Sequence, residues 1–421
     1  MTFRRSQLLL ALALLSSSAS AWITSHPAAP AAGRAVPSST RLFSAVESSK
    51  IGEKVDLKPE YQAALDVAKS KVTAVLGSRA DKLWPPLQHF IGEYLGCAQT
   101  ALERLGEDAP EETKALHTPQ GATKRILEAI SYAQKFGMPD SPDHYTFDVT
   151  HNALRGNPDT EDGNEVDYYA FGCDFFRPCM DLDHSMVLGK ENLDKAMEQL
   201  KKGENVIFLA NHQSEADPQV VSCMMEKAGY GKEAADMIYI AGHKVTTDPL
   251  AIPFSMGRNL ICIHSKKHIN SEPELKSMKQ RQNLKAMSAM LKSFSKGGCL
   301  LWVAPSGGRD RRDTNTGKVP PAEFDSKTID MFRLMGNKSK KPMHYYPMAM
   351  VSYDLCPPPD FVESGVGEQR NIRHVPVGIA VGEEAESTGG VESRKSFCQE
   401  TFQVCLDDYA KLEEALRMQQ N

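Results

Sequence analysis

The sequence predicts an α/β fold, a mixed sheet covered by helices, preceded by a small N-terminal helical bundle. Three observations predict it. Residues 58–137 space their apolar side chains at threes and fours, the period of packed helices. From residue 206 onward six short β-rich runs follow: VIFLAN, MIYIAG, LICIHS, CLLWVAP, HYYPMAMVSY and RHVPVGIAV. Helical stretches such as DPQVVSCMMEKAG and PELKSMKQRQNLKAMSAMLKSFSKGG separate several of them, and that alternation places helices against a sheet.

In chain order, residues 1–45 are expected to be a presequence outside the fold. MTFRR supplies a positive start, residues 8–15 are a short apolar run, and Ala19-Ser20-Ala21 ends it with small residues. That is the build of a secretory signal peptide, and it is too short to span a bilayer as a helix. The next stretch, WITSHPAAPAAGRAVPSSTRLFS, is rich in Ala, Ser and Pro, carries Arg34 and Arg41, and meets no acid before Glu47. This composition suits a transit peptide. The pair resembles the two-part presequence of algae with complex plastids, which implies a plastid stroma, with Trp22 where that pattern usually has Phe. Removing it takes four arginines and no acids, so the formal charge of −5 becomes about −9.

The helical unit is expected over 55–140. KPEYQAALDVAKSKVTAVLG, PPLQHFIGEYLGCAQTALERLG and ATKRILEAISYAQKFG are its helices, with Gly77, Gly106 and Gly137 at their ends. MPDSPDH, residues 138–144, is a turn-rich break, and the α/β unit is expected over 141–421. Residues 395–420 read as one closing helix.

Composition narrows the function classes. An acidic balance argues against a general nucleic-acid binder. Nine cysteines, an odd number, sit mostly in apolar runs, as buried thiols of a reducing compartment would. There is no CxxC, and Cys173 and Cys179 are too far apart for a zinc knuckle, so neither a metal nor a cofactor is expected. Cys398 and Cys405, seven apart, are expected on one helix face. No segment after the presequence reaches ~18 consecutive apolar residues, so no transmembrane helix is expected.

Twelve histidines are present, and two have an aspartate five positions on: His212 with Asp217, and His243 with Asp248. Five residues of α-helix turn about 500°, so such a pair can meet only through a loop. For the first pair VIFLA reads as a buried strand, NHQSEA as its exit loop, and Asp217-Pro218 as helix cap and first-turn proline. A neutral imidazole held by a carboxylate can take a proton from a hydroxyl. No separate nucleophile is needed if the substrate brings that hydroxyl, and the chain has no GxSxG elbow. The spacing alone does not choose between His212 and His243, and about one such match is expected by chance.

Anion-binding signals lie downstream. LWVAPSGGRDRR runs from a strand into a glycine turn, with Arg309 and Arg311 on one side and Asp310 on the other. Guanidinium pairs beside a glycine turn suit a phosphate. The alternative is a solvated turn paired to Asp310 and Asp313. The SKKHIN loop adds Lys266, Lys267 and His268, and the SMGRN turn adds Arg258.

Together NHQSEADP, TDPLAIPFSMGRNLIC, SKKH with PEL soon after, WVAPSGGRDR, and YPMAM with PPP resemble the soluble glycerol-3-phosphate acyltransferases of plastids. DYYAFGCDFFRPCMD resembles the same family upstream, and the likeness runs in order from about 140 to 359. The resemblance implies a helical bundle beside an α/β unit. It implies His212 as general base, Asp217 as its orienting carboxylate, and Lys267, His268, Arg309 and Arg311 as the phosphate-binding set. It implies glycerol 3-phosphate as acceptor, acylated at its sn-1 hydroxyl, and acyl-acyl carrier protein as donor, with acyl-CoA as the other donor to test. The lysophosphatidic acid formed would partition to the membrane. Where the family pattern usually has Asp-Arg, this chain has His243-Lys244, so His243 reads as a substitution that recreates the spacing.

A carrier protein is acidic, so a basic docking surface is expected. The helix expected over 273–295 carries Lys276, Lys279, Arg281, Lys285 and Lys292 and is a candidate. Two other readings stay open. A lysophosphatidate acyltransferase shares the H-x4-D logic, but its block order differs. A non-enzymatic binder of phosphometabolite or carrier protein would have lost the base or the arginines, and these are kept.

Overall fold

The protein is described from a computed structural model, which covers residues 55–77, 80–156, 166–264, 269, 273–357, 370–386 and 391–419. The expected presequence, residues 1–45, lies outside these, as do Lys266, Lys267 and His268.

Four helices open the described chain: α1 (Pro59–Leu76), α2 (Ala80–Arg104), α3 (Glu111–His117) and α4 (Pro119–Tyr132). α2 starts five residues before the expected Pro85, and Pro85 and Pro86 lie inside it. A proline costs an internal helix a hydrogen bond, but α2 buries Trp84, Ile91, Tyr94 and Leu95 on one side. Helix α3 was not expected, because seven residues show too little periodicity.

The rest of the chain builds an eight-stranded mixed sheet. Its strands are β1 (Thr150–His151), β2 (Met186–Leu188), β3 (Asn205–Ala210), β4 (Ile238–Gly242), β5 (Asn259–Ile263), β6 (Leu300–Val303), β7 (Met343–Val351) and β8 (Gly378–Val381). The order is β1-β5-β4-β6-β3-β7-β8-β2. The central run β5-β4-β6-β3-β7 is parallel, β1 pairs antiparallel to β5, and β8 pairs antiparallel to β7 and parallel to β2. β1 and β2 escape a sequence reading because two or three residues cannot display a period of two. RHVPVGIAV shortens to Gly378–Val381, and Val375 makes only an isolated bridge to Met180. Pro376 interrupts that run and has no N–H for a ladder.

Helices cover both faces. Val206, Phe208 and Ala210 of β3 join one apolar core with Tyr61, Ile91 and Leu95 of the N-terminal helices. The same core takes in Leu193 and Met197 of α6 (Lys190–Lys201) and Val220 and Met224 of α7 (Asp217–Lys227). Ahead of both in the chain, α5 (Tyr168–Phe176) precedes β2. Ile207 and Leu209 point the other way, as alternation along a strand requires. They meet Met290 and Phe294 of α10 (Lys276–Lys296), Phe332 of α11 (Ser326–Lys338) and Leu412 of α12 (Val391–Gln419). The short helices α8 (Gly231–Asp236) and α9 (Ile252–Met256) flank β4. β3 is therefore buried on both faces, which its unbroken apolar sequence foreshadows.

The nine cysteines are unpaired, eight of them buried. Cys398 and Cys405 both turn inward from α12, as their spacing predicts. No helix among the described residues is long and apolar enough to cross a membrane.

Candidate functional site

Parallel strands end on a common edge, and the described segments that leave β3, β4 and β6 gather there beside the end of β7. Asn211, the residue after β3, ties its loop to two neighbours. Its Oδ1 accepts from Met350 N at 2.7 Å, and its Nδ2 donates to Met350 O at 3.1 Å and to Asp310 Oδ2 at 2.8 Å. The loop is thereby anchored to β7 and to the segment that follows β6.

His212 follows directly, and its Nδ1 lies 2.7 Å from Asp217 Oδ2. The aspartate is fully buried, whereas the imidazole keeps 28% of its side chain exposed. Asp217 is the first residue of α7 rather than its cap; Ala216 occupies the cap position and makes no side-chain cap bond. The carboxylate turns back into the loop instead. Oδ2 also accepts from Gln213 N at 2.8 Å. Oδ1 accepts from Ser214 N at 3.0 Å, Ser214 Oγ at 3.1 Å and Ser352 Oγ at 2.6 Å. Burial works against the charge of Asp217, but His212, Ser352 and the Gln213 N–H together hold its carboxyl below the usual range. An ionised Asp217 accepts a proton-bearing Nδ1 and leaves Nε2 as the basic atom.

The second spacing match behaves differently. Asp248 Oδ1 accepts from Leu250 N at 2.9 Å, and its Oδ2 accepts from Arg370 Nη2 at 2.8 Å. Its carboxylate is committed to these groups and not to His243. The His243 ring instead packs on His264, with centroids 4.6 Å apart, and its Nδ1 lies 3.3 Å from Thr246 Oγ1.

The segment after β6 is brought against His212 by its backbone: Asp310 N donates to His212 O at 2.6 Å. Gly307, at φ +68°, makes the preceding turn in a conformation that other residues resist. Asp310 is buried, Arg309 half-buried and Arg311 exposed, so the expected alternation is kept although the segment is not a strand. The arginines do not pair with Asp310 or Asp313. Arg309 Nη1 lies 3.3 Å from Glu215 Oε1, and Asp310 accepts from Asn211 and from Ala322 N at 2.8 Å. Burial pushes the Asp310 carboxyl up to about 6, against these hydrogen bonds, and the nearby Asp217 charge adds to the rise.

Arg258 of the SMGRN turn does not belong to this edge. It is 3% exposed, donates to Ser222 Oγ at 2.6 Å, and lies over the Tyr169 ring at 4.7 Å. Gly257 is what lets the turn in, since a Cβ there would stand 2.3 Å from Tyr168 O. Lys267 and His268 fall outside the described residues. Three side chains at the edge were not singled out from sequence: Glu215, Ser352 and Arg370. Glu215 lies within NHQSEADP, but nothing in its spacing distinguishes it; Ser352 and Arg370 are 135 and 155 residues from their partners Asp217 and Glu215. Among the described residues no cluster of His, Cys, Asp and Glu could hold a metal ion.

Residues 187–351 match the family described as Acyltransferase. The chain is 40% identical over 260 residues to the chloroplastic glycerol-3-phosphate acyltransferase of Spinacia oleracea, covering 62% of this chain and 53% of that one. It is 36% identical over 303 residues to that of Arabidopsis thaliana, covering 70% and 64%. The chloroplastic enzyme of Pisum sativum is 40% identical over 245 residues, covering 58% and 52%. The chain thus spans between about half and just under two thirds of the length of these curated relatives. The solved structure of the 1-acyl-sn-glycerophosphate acyltransferase PlsC from Thermotoga maritima shares 14% identity at a TM-score of 0.33, over 82% of this chain and 95% of that one.

Proposed function

We propose, for a chain whose residues 187–351 belong to the acyltransferase family and whose relatives are chloroplastic glycerol-3-phosphate acyltransferases, that it transfers a fatty acyl group to the sn-1 hydroxyl of glycerol 3-phosphate. One observation carries the reading. A His–Asp pair at 2.7 Å stands on the strand edge, and the backbone of the Arg309–Arg311 segment is bonded to His212 itself.

In this reading Arg309 and Arg311, with Lys267 and His268, bind the substrate phosphate. The sn-1 hydroxyl is thereby brought to His212 Nε2. The imidazole removes the hydroxyl proton as the oxygen attacks the thioester carbonyl, forming the C–O bond. The tetrahedral intermediate then expels the thiolate, the C–S bond breaks, and the imidazolium returns its proton to the leaving sulfur. Asp217 keeps Nδ1 protonated and stabilises the imidazolium. Fixing both reactants contributes about 7–11 kcal/mol in favourable cases, which is why no enzyme nucleophile is required.

Acyl carrier protein as donor is supported by α10. Its 21 residues carry six basic side chains and no acidic one in a chain of formal charge −5. Arg281, Lys285 and Lys292 are exposed beside Leu284, which is 64% exposed. Lys279, expected among them, is buried and drops out of the surface. The division into a helical unit (55–140) and an α/β unit (141–421) is part of the proposal, with the chemistry in the second. So is the plastid stroma, reached through residues 1–45; the relatives' chloroplastic names support the plastid.

The test uses residues 46–421 with labelled glycerol 3-phosphate and acyl-acyl carrier protein. Formation of the 1-acylated product is expected, with loss of at least about 10³-fold in His212→Ala. His243→Ala is expected to keep most turnover. Absence of product from the wild type, or full turnover in His212→Ala, overturns the reading.

A further inference from the structure

Arg309 is not free to swing at the site. Its Nη1 contacts Glu215 Oε1 at 3.3 Å, and the other oxygen of that carboxylate, Oε2, accepts from Arg370 Nε at 3.1 Å. Arg370 is held in turn by Asp248 at 2.8 Å. Four charged side chains, from the loops after β6, β3 and β4 and from the segment before β8, therefore alternate in sign: Arg309, Glu215, Arg370, Asp248. Glu215 uses one N–H of Arg309, and a guanidinium has five, so the remaining donors stay available to an anion.

The segment that carries Arg370 is fastened to the N-terminal helices. Ile372 N donates to Glu93 Oε2 at 2.8 Å, and Asn371 Oδ1 lies 3.0 Å from His89 Nε2. Both anchors belong to α2. Asn371 and Ile372 are each 1% exposed, and Arg373 N donates to Leu355 O at 3.0 Å, so the anchor is packed as well as bonded. A path of specified contacts thus runs from α2 through residues 371–372 to Arg370, Glu215 and Arg309.

Resting on the reading that Arg309 faces the substrate phosphate, we propose that Arg370 is a positioning residue that orients Arg309 through Glu215, and that α2 sets the anion pocket through it. The role belongs to geometry. Arg370 has its Nε and Nη2 committed to two carboxylates, a forked arrangement that lysine cannot reproduce. Glu215 sits between the two guanidiniums and gives one carboxylate oxygen to each. Atoms crowding the carboxylate oppose its charge although 43% of the side chain is exposed, yet Arg370 and Arg309 hold its carboxyl below the ordinary range, so the bridge stays charged.

The experiment is a double-variant cycle on residues 46–421, reading glycerol 3-phosphate binding by calorimetry and its KM and kcat by steady-state assay. Arg370→Gln and Glu215→Gln are each expected to weaken binding and raise that KM about 10-fold, with kcat and the donor KM changed less than about threefold. Arg370→Lys recovers part of the loss. Glu93→Ala moves the KM in the same direction by a smaller factor. The decisive reading is non-additivity: Arg309→Gln/Arg370→Gln is expected to be no worse than Arg309→Gln alone. Additive losses, or unaltered binding in both single variants with melting temperatures near wild type, overturn the inference. If Arg370→Gln fails to fold, the half-exposed Glu215→Gln decides by the same cycle. A wild type that binds glycerol 3-phosphate but transfers no acyl group discards the catalytic reading and leaves this one standing. A wild type that binds none discards both.

Discussion

Five donor atoms converge on the Asp217 carboxylate, and each narrows where the His212 ring can sit. Asn at this position would place an amide N–H₂ against donors that now meet an oxygen. It would also remove the charge that favours a proton on Nδ1. Asp217→Asn is therefore expected to lower kcat by about 10³–10⁴-fold. The glycerol 3-phosphate KM should move little, because the residues proposed to bind the phosphate are separate ones. Ser352→Ala removes one donor of the five and is expected to cost about 1 kcal/mol of stability and only a small factor in kcat. Equal kinetic losses in the two variants would mean that packing around the carboxylate, and not its charge, governs the site.

Helix α10 shows how one element can serve two surfaces. Ala286, Met290 and Phe294 bury against the sheet, while Arg281, Leu284, Lys285 and Lys292 face out. An acidic carrier protein would be drawn by the charges and held by the exposed apolar side chain. Arg281→Glu/Lys285→Glu is expected to raise the KM for acyl-acyl carrier protein about 10-fold at low salt while leaving the acyl-CoA reaction unchanged. Added salt should shrink the difference, since exposed charges are screened over about 10 Å at 0.1 M. An equal effect on both donors, or none on either, would remove α10 from the docking surface.

The molecule as a whole is held at the opposite strand ends by a second charged cluster. His344 at the start of β7 lies between Glu384 Oε1 at 2.5 Å and Glu204 Oε2 at 2.9 Å, and Lys195 of α6 reaches Glu384 Oε2 at 2.8 Å. Burial disfavours the Glu384 charge, but Lys195, His344 and Gln199 overcome it and hold the carboxyl at about 2. A lowered folded value means that its stabilisation is present above about 4.5, the ordinary value, and is lost as pH falls through about 2. Glu384→Gln is thus expected to cost about 2–3 kcal/mol at pH 7, and the gap to wild type should close between pH 4.5 and 2. Denaturant midpoints across that range check it. A gap independent of pH would assign the loss to packing.

Local pattern in the chain was enough to read the β3–loop–α7 unit. A strand buried on both faces needs an unbroken apolar run, a His–Asp contact at five residues needs a loop, and Pro218 starts a helix. The basic loop after β6, the six main strands and the closing helix were legible for the same reason: each depends on neighbours within about ten residues. Choosing His212 over His243 was different. Their spacings are identical, and geometry separates them only because Arg370, 122 residues away, takes the Asp248 carboxylate. Ser352 beside Asp217, Glu215 between two arginines and the inward turn of Arg258 are of the same kind. Their partners meet where strands far apart in sequence end side by side, and a period along the chain carries no record of that meeting.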